Sequence, residues 1–227
     1  MPQTYEIEIK TLLGSKERAL ELKRKLTERY PDTALISSGK QLNHYFNLPE
    51  DLTPLYKTIT PLLSEDKVEL FDKILENGKK ISIRTRDADG TVIFVVKASL
   101  DDQTSSNGVS RIEFEAVMPE LTLAELDQIL LDAGLTYQAK WSREREEFAN
   151  GEMKVCFDKN AGYGYLAEFE RVLNSKDEIE SAKRELLDCM AELGVEELAQ
   201  DRLERMFNHY NNNWREYYGT DLIFVIE

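Results

Sequence analysis

Tyr5-Glu6-Ile7-Glu8-Ile9-Lys10 decides how this chain is read. As a strand it sends Glu6, Glu8 and Lys10 to one face and Tyr5, Ile7 and Ile9 to the other. One such segment is an ordinary half-solvated strand. The pattern returns in Arg84-Thr85-Arg86, Arg111-Ile112-Glu113-Phe114-Glu115, Arg143-Glu144-Arg145 and Glu168-Phe169-Glu170, each time with like charges two residues apart. Like charges on one strand face repel, so a sheet built only for solubility would mix the signs. Their segregation points to a shared interior where acids hold a metal and bases hold a polyanion.

Outward from that strand, expected over about 4–12, Ser15 caps a helix whose apolar residues recur up to Pro31. A second strand is expected at 33–48. Pro54 and Pro61 argue for loop over 49–77, with a short helix from Glu65 to Leu75. Lys79–Asp87 and Thr91–Leu100 form a hairpin through Asp89-Gly90, and Asp101–Gly108 is a polar, mobile link to a strand at 109–118. Thr122 caps a helix with the apolar stripe Leu123, Leu126, Ile129 and Leu130, stopped by Gly134. Strands at 136–149 and 152–158 meet at Asn150-Gly151, and Tyr165–Leu173 follows a glycine-rich bend. Helices at 175–193 and 196–213 precede a short apolar tail, 221–227, that adds an edge strand or packs outside.

Eight strands joined mostly by hairpins suit an α+β fold: an antiparallel barrel with a charged interior, an apolar outside (Ile7, Ile9, Ile112, Phe114) and helices wrapped around it. The interior set is Glu6, Glu8, Glu113, Glu115, Asp158, Glu168 and Glu170 against Lys10, Arg84, Arg86, Lys97, Arg111, Arg143 and Arg145, seven of each sign. Burying that many ions for stability alone is unfavourable, because desolvation costs several kcal/mol per ion. A wet tunnel filled by ligand makes better sense. Arginine and lysine grip phosphate oxygens, and carboxylates without histidine or thiolate select hard cations, Mg²⁺ or Mn²⁺.

The 227 residues, 41% of them hydrophobic, suit one domain with a full core, two small ones being the alternative. No apolar run approaches a membrane span, and the N-terminus carries no signal region. Two cysteines, Cys156 and Cys189, fit core positions in a reducing cytoplasm. A net charge of −14 argues against broad contact with nucleic acid or anionic membrane.

Glu6-Ile7-Glu8-Ile9-Lys10 resembles the ExExK signature of the CYTH superfamily, the triphosphate tunnel metalloenzymes, and the later motifs follow in the same order. The resemblance spans about 4–173, with helices and tail at 175–227, and implies a single CYTH-like domain over 1–227. It implies metal ligands at Glu6, Glu8, Glu168 and Glu170, supported by Asp158 and Glu115. Lys10, Arg84, Arg86, Lys97, Arg111 and Arg145 would bind the triphosphate, Arg111 alternatively pairing with an interior acid.

Two departures stand out. Relatives often carry Lys-x-Arg before an aromatic, whereas here Arg143-Glu144-Arg145 precedes Phe148 and the nearest lysine is Lys140. Arginine is a poor base, so catalysis is expected from Lys140 in a shifted register, with Arg143 and Arg145, or the base lies elsewhere. Gln41-Leu42-Asn43-His44-Tyr45-Phe46 resembles a Gln-x-Asp-x-Tyr-Phe segment of cyclase-like members, but with Asn43 where an acid is frequent.

The resemblance thus implies a metal-dependent hydrolase of a small triphosphate: tripolyphosphate, thiamine triphosphate or a nucleoside triphosphate. The alternatives are a class IV-like adenylate cyclase and a binding module without turnover. A homodimer is a further possibility. His44 and His209 read as packed or surface residues, and Trp141 as wall packing or a stacking platform. Tyr210, Trp214, Tyr217 and Tyr218 form an aromatic cluster whose partner is open.

Overall fold

A computed structural model describes residues 5–99 and 111–226, apart from the side chains of Tyr5, Ser99, Arg111, Ile112, Glu113 and Lys176. The expected link Asp101–Gly108 and the side chains of Arg111 and Glu113 therefore lie outside the described residues. The chain contains eight strands and six α-helices among the described residues and divides into two compact units. Of the described residues, the first holds 5–40 and 142–226, and the second holds 41–99 and 111–141. The chain passes between them within two of its strands, Ala34–Asn47 and Thr136–Asn150.

The first unit is built on β1 (Tyr5–Leu12), β7 (Met153–Asn160), β8 (Gly164–Leu173) and the part of β6 (Thr136–Asn150) that begins at Ser142. All pairings are antiparallel: β6 with β7, β7 with β8 and β8 with β1. The β6–β7 turn is one residue later than expected. Asn150 pairs with Met153, leaving Gly151-Glu152 as the loop, with Gly151 at φ 58°. Ile7, Ile9 and Phe169 are fully buried under α1 (Lys16–Arg29) and α5 (Ile179–Leu193), which supply Leu22, Leu26, Leu186 and Met190. Ser15 caps α1 through the Arg18 amide, as expected.

α6 (Gln200–Tyr217) and the tail pack at the turn between β7 and β8. Gly162 bridges Ile223 in parallel, and Phe224 lies 5.2 Å from Tyr163 and 4.6 Å from His209, ring to ring. The tail therefore joins by a single bridge, and His209 is half-buried beneath it. Tyr210 is fully buried against Tyr163 and Tyr217. Gly162 has φ +80°, and a Cβ there would stand 2.6 Å from the Tyr210 ring. Gly162→Ala is expected to cost about 2 kcal/mol or more, from left-handed backbone strain plus overpacking, read as a lowered Tm.

The second unit contains β3 (Lys79–Ala88), β4 (Thr91–Ser99), β5 (Arg111–Val117) and β2 from Gln41 onward, antiparallel in the order β2-β3-β4-β5. Asp89 and Gly90 both have positive φ, the conformation a two-residue hairpin loop needs. The stretch 49–77 is more helical than its prolines suggest. Pro54 sits in the first turn of α2 (Thr53–Ile59), where its missing N–H costs nothing, and α3 runs over Glu65–Asn77. Phe71, Phe94 and Phe114 pack ring to ring within 6.0 Å. α4 (Leu123–Asp132) starts in a full capping box between Thr122 and Glu125.

Candidate active site

The two-residue period of β1 and β8 places Glu6, Glu8 and Lys10 on the same face as Glu168 and Glu170, with Glu8 opposite Glu170 and Lys10 opposite Glu168. Carboxylate oxygens of Glu6, Glu8 and Glu170 all lie within 4.8 Å of one another, the one such group among the described residues. These are hard oxygen donors and suit a divalent Mg²⁺ or Mn²⁺.

Beside them runs a lattice of ion pairs. Lys10 Nζ pairs with Glu8 and stands 3.3 Å from Glu168. Arg145 makes a fork on Asp158, Nε to Oδ1 2.7 Å and Nη2 to Oδ2 2.6 Å, and also pairs with Glu168. Arg143 Nη1 donates to Asp158 Oδ2 at 3.1 Å. Asp158 is 1% exposed. It is thus held by two guanidiniums rather than gathered with Glu6, Glu8 and Glu170.

Two neighbouring carboxyls are pushed in opposite directions. Burial works against the Glu168 charge, but Lys10, Arg145 and Arg143 overcome it and hold the group well below its usual range. Glu170 has no such cage: Cys156 Sγ is 3.6 Å from Oε1, and Arg145 Nη1 and Lys154 Nζ stand at 3.9 and 4.0 Å. Burial, and after it the Glu168 charge, pushes Glu170 up to about 7. A metal must displace that proton. Mn²⁺ affinity is therefore expected to rise about tenfold per pH unit on the acid side and to level off above the Glu170 pKa, checked by Mn²⁺ titration across the range.

In the second unit, the β3–β4 register puts Arg84, Arg86 and Lys97 on one face, Lys97 lying opposite Ser82. Arg84 Nη1 donates to Tyr45 Oη at 2.6 Å, and its guanidinium lies 5.4 Å from that ring's centre. Arg86 Nε donates to Asn43 Oδ1 at 3.0 Å and Nη1 to Glu115 Oε1 at 2.8 Å. Asn43 therefore gives Arg86 a neutral acceptor. Glu115 is paired to Arg86 within this unit. Trp141 meets Tyr45 edge-on, ring centres 6.5 Å apart.

The CYTH domain model matches residues 4–202. The chain belongs to the CYTH domain family. Solved structures of similar fold include the Pyrococcus horikoshii OT3 protein PH1819, 18% identical with a TM-score of 0.62, covering 90% of this chain and 99% of that one. A candidate adenylate cyclase from Vibrio parahaemolyticus is 11% identical at TM-score 0.59, with 90% and 98% covered. HpAC1 of Hippeastrum, a candidate adenylyl cyclase with a dominant triphosphatase activity, is 14% identical at TM-score 0.50, with 90% and 96% covered. No curated protein matches. Likeness at these identities shows the fold alone. The fold class is the one expected, α+β with eight antiparallel strands of the CYTH kind.

Within this CYTH chain, Lys140, expected among the catalytic residues, lies with His44, read as packed or surface, at one buried acid. His44 and Lys140 both gather at Asp127 of α4: His44 Nδ1 lies 2.6 Å from Oδ2, and Lys140 Nζ 3.7 Å. Asp127 completes the stripe of Leu123, Leu126 and Leu130 at helical spacing. An acid on an apolar stripe was the available signal. Cys156, read as core filler, is fully buried but shares its strand face with Asp158, beside Glu170.

Proposed function

We propose that this chain is a divalent-metal-dependent enzyme that binds a small triphosphate and hydrolyses a phosphoanhydride bond. The observation that carries the reading is the Glu6–Glu8–Glu170 cluster bordered by Lys10 and Arg145. A Mg²⁺ or Mn²⁺ ion held there would neutralise phosphate oxygens and orient a water. Lys10, Arg143 and Arg145 supply fixed positive charge along the same face of their unit, and the family resemblance adds Arg84, Arg86, Lys97 and Arg111 as expected phosphate donors. Arg145 keeps its proton throughout: burial works to lower it, but Glu168 and Asp158 hold it well above its usual value. It serves as a clamp, not a base.

The Hippeastrum protein's dominant triphosphatase activity is consistent with hydrolysis as the principal reaction. The Tyr45 and Asn43 contacts tie the cyclase-like segment to Arg84 and Arg86, a phosphate-gripping role both reactions share. No described helix is long and apolar enough to cross a membrane. The free, buried Cys156 and Cys189 support a reducing, cytoplasmic setting.

Incubation with tripolyphosphate, thiamine triphosphate and ATP, each with Mg²⁺ or Mn²⁺, tests the reading. Phosphate release that stops on chelation supports it. Cyclic AMP with pyrophosphate from ATP would replace hydrolysis by cyclisation. Tight binding with no product would leave a binding module.

A further inference from the structure

α4 presents a carboxylate where packing alone calls for a leucine. Asp127 is 3% exposed, between Leu126 and Leu130, which are fully buried. Its oxygens are divided between the two members of one cross-strand pair: His44 of β2 and Thr85 of β3 stand directly opposite each other. Thr85 Oγ1 donates to Oδ1 at 2.6 Å, and His44 Nδ1 meets Oδ2 at 2.6 Å. Tyr137 Oη also donates to Oδ2, at 2.7 Å. Burial works against the Asp127 charge, but these three hydrogen bonds outweigh it and leave the carboxyl below its usual value.

The flanking pairs are Asn43 with Arg86 and Tyr45 with Arg84. Alternation sends these to the opposite face of the same strands. There Asn43 and Tyr45 hold the two guanidiniums. One carboxylate thus pins the middle of a three-pair segment whose other face carries the arginines. A buried polar group of this kind costs stability relative to a leucine and fixes register. A slip of one residue would turn both arginines away.

We propose that Asp127 is a positioning residue for triphosphate binding, acting through the His44–Thr85 pair to hold Arg84 and Arg86 in line. This rests on the triphosphate reading above. The full chain is titrated with tripolyphosphate and Mg²⁺ by calorimetry, folding being followed by circular dichroism. Asp127→Leu, which completes the apolar stripe, is expected to weaken binding about 10- to 100-fold, the range for partners that orient a contacting residue. Asp127→Asn, which keeps an acceptor for Thr85, falls between. In an Arg84→Gln/Arg86→Gln background the same Asp127→Leu change is expected to have little further effect, because its route to the ligand is gone. A folded Asp127→Leu protein with unchanged affinity, or an equal loss in both backgrounds, overturns the proposal. If Asp127→Leu fails to fold, Asp127→Asn and Thr85→Val replace it, and unchanged affinity in both overturns it equally. Absence of tripolyphosphate binding by the unaltered protein overturns the functional reading and this inference together. Binding by the unaltered protein with indifferent variants overturns this inference alone.

Discussion

Glu170→Gln is expected to abolish turnover and at the same time to stabilise the protein. The carboxylate is one of three that converge within 4.8 Å. Its amide isostere loses the charge a divalent cation needs, so metal-dependent activity falls by at least about 100-fold, beyond the usual effect of an outer partner. Stability moves the other way. Glu170 is 6% exposed, and its pKa rises from an ordinary 4.5 to about 7 in the folded chain. Between those values the folded state holds a proton that the unfolded state has released, so stability falls as pH rises through that window. Above it both states are ionised and the folded one carries the full penalty, about 3 kcal/mol. Glutamine has no such slope. Urea unfolding near the lower value should show little difference, while unfolding above the upper one should show the variant ahead. Equal stability at both pH values, or retained activity, would contradict the assignment.

Arg145→Met is expected to be the most destabilising single change at this site. The guanidinium is 10% exposed and serves Asp158 and Glu168, which are 1% and 9% exposed at their side chains. Methionine fills similar space but leaves two buried carboxylates short of a partner, a loss of about 3–5 kcal/mol. The sign with pH follows from Glu168, whose pKa is depressed in the folded chain. A depressed acid contributes stability above its ordinary pKa and loses it as pH falls through its folded pKa. The deficit of the variant should therefore be greatest near neutrality and shrink in acid, as Glu168 takes up its proton in either protein. Adding Asp158→Asn should recover part of the loss at neutral pH. A flat difference across pH would mean that methionine fails through packing, not charge.

Much of the site was legible because its motif is written at the period of the strand. Glu6, Glu8, Lys10, Glu168 and Glu170 share a face because alternate side chains must, and the register places Glu8 against Glu170 and Lys10 against Glu168. Residues in the unexpected places are those whose role depends on something other than period. Pro54 starts a helix because only its position in the first turn makes it harmless. His44 sits inside a segment read as one unit, yet alternation assigns it to Asp127 while Asn43 and Tyr45 serve the arginines. Asp127 itself fits the apolar stripe by spacing and contradicts it by chemistry, and two of its three donors, His44 and Thr85, come from 83 and 42 residues away along the chain.

The sequence by itself determined the charged and apolar faces of the strands, the hairpins and the helix caps, since each follows from the chirality and hydrogen bonding of a few adjacent residues. The tertiary structure alone decided which charges met: Arg145 with Asp158 and Glu168, Asp127 with His44 and Thr85, and Glu170 left beside a thiol. Those pairings depend on the register between strands, on which helix packs against them and on how deeply each group is buried. Both are settled only when the core closes and water is removed.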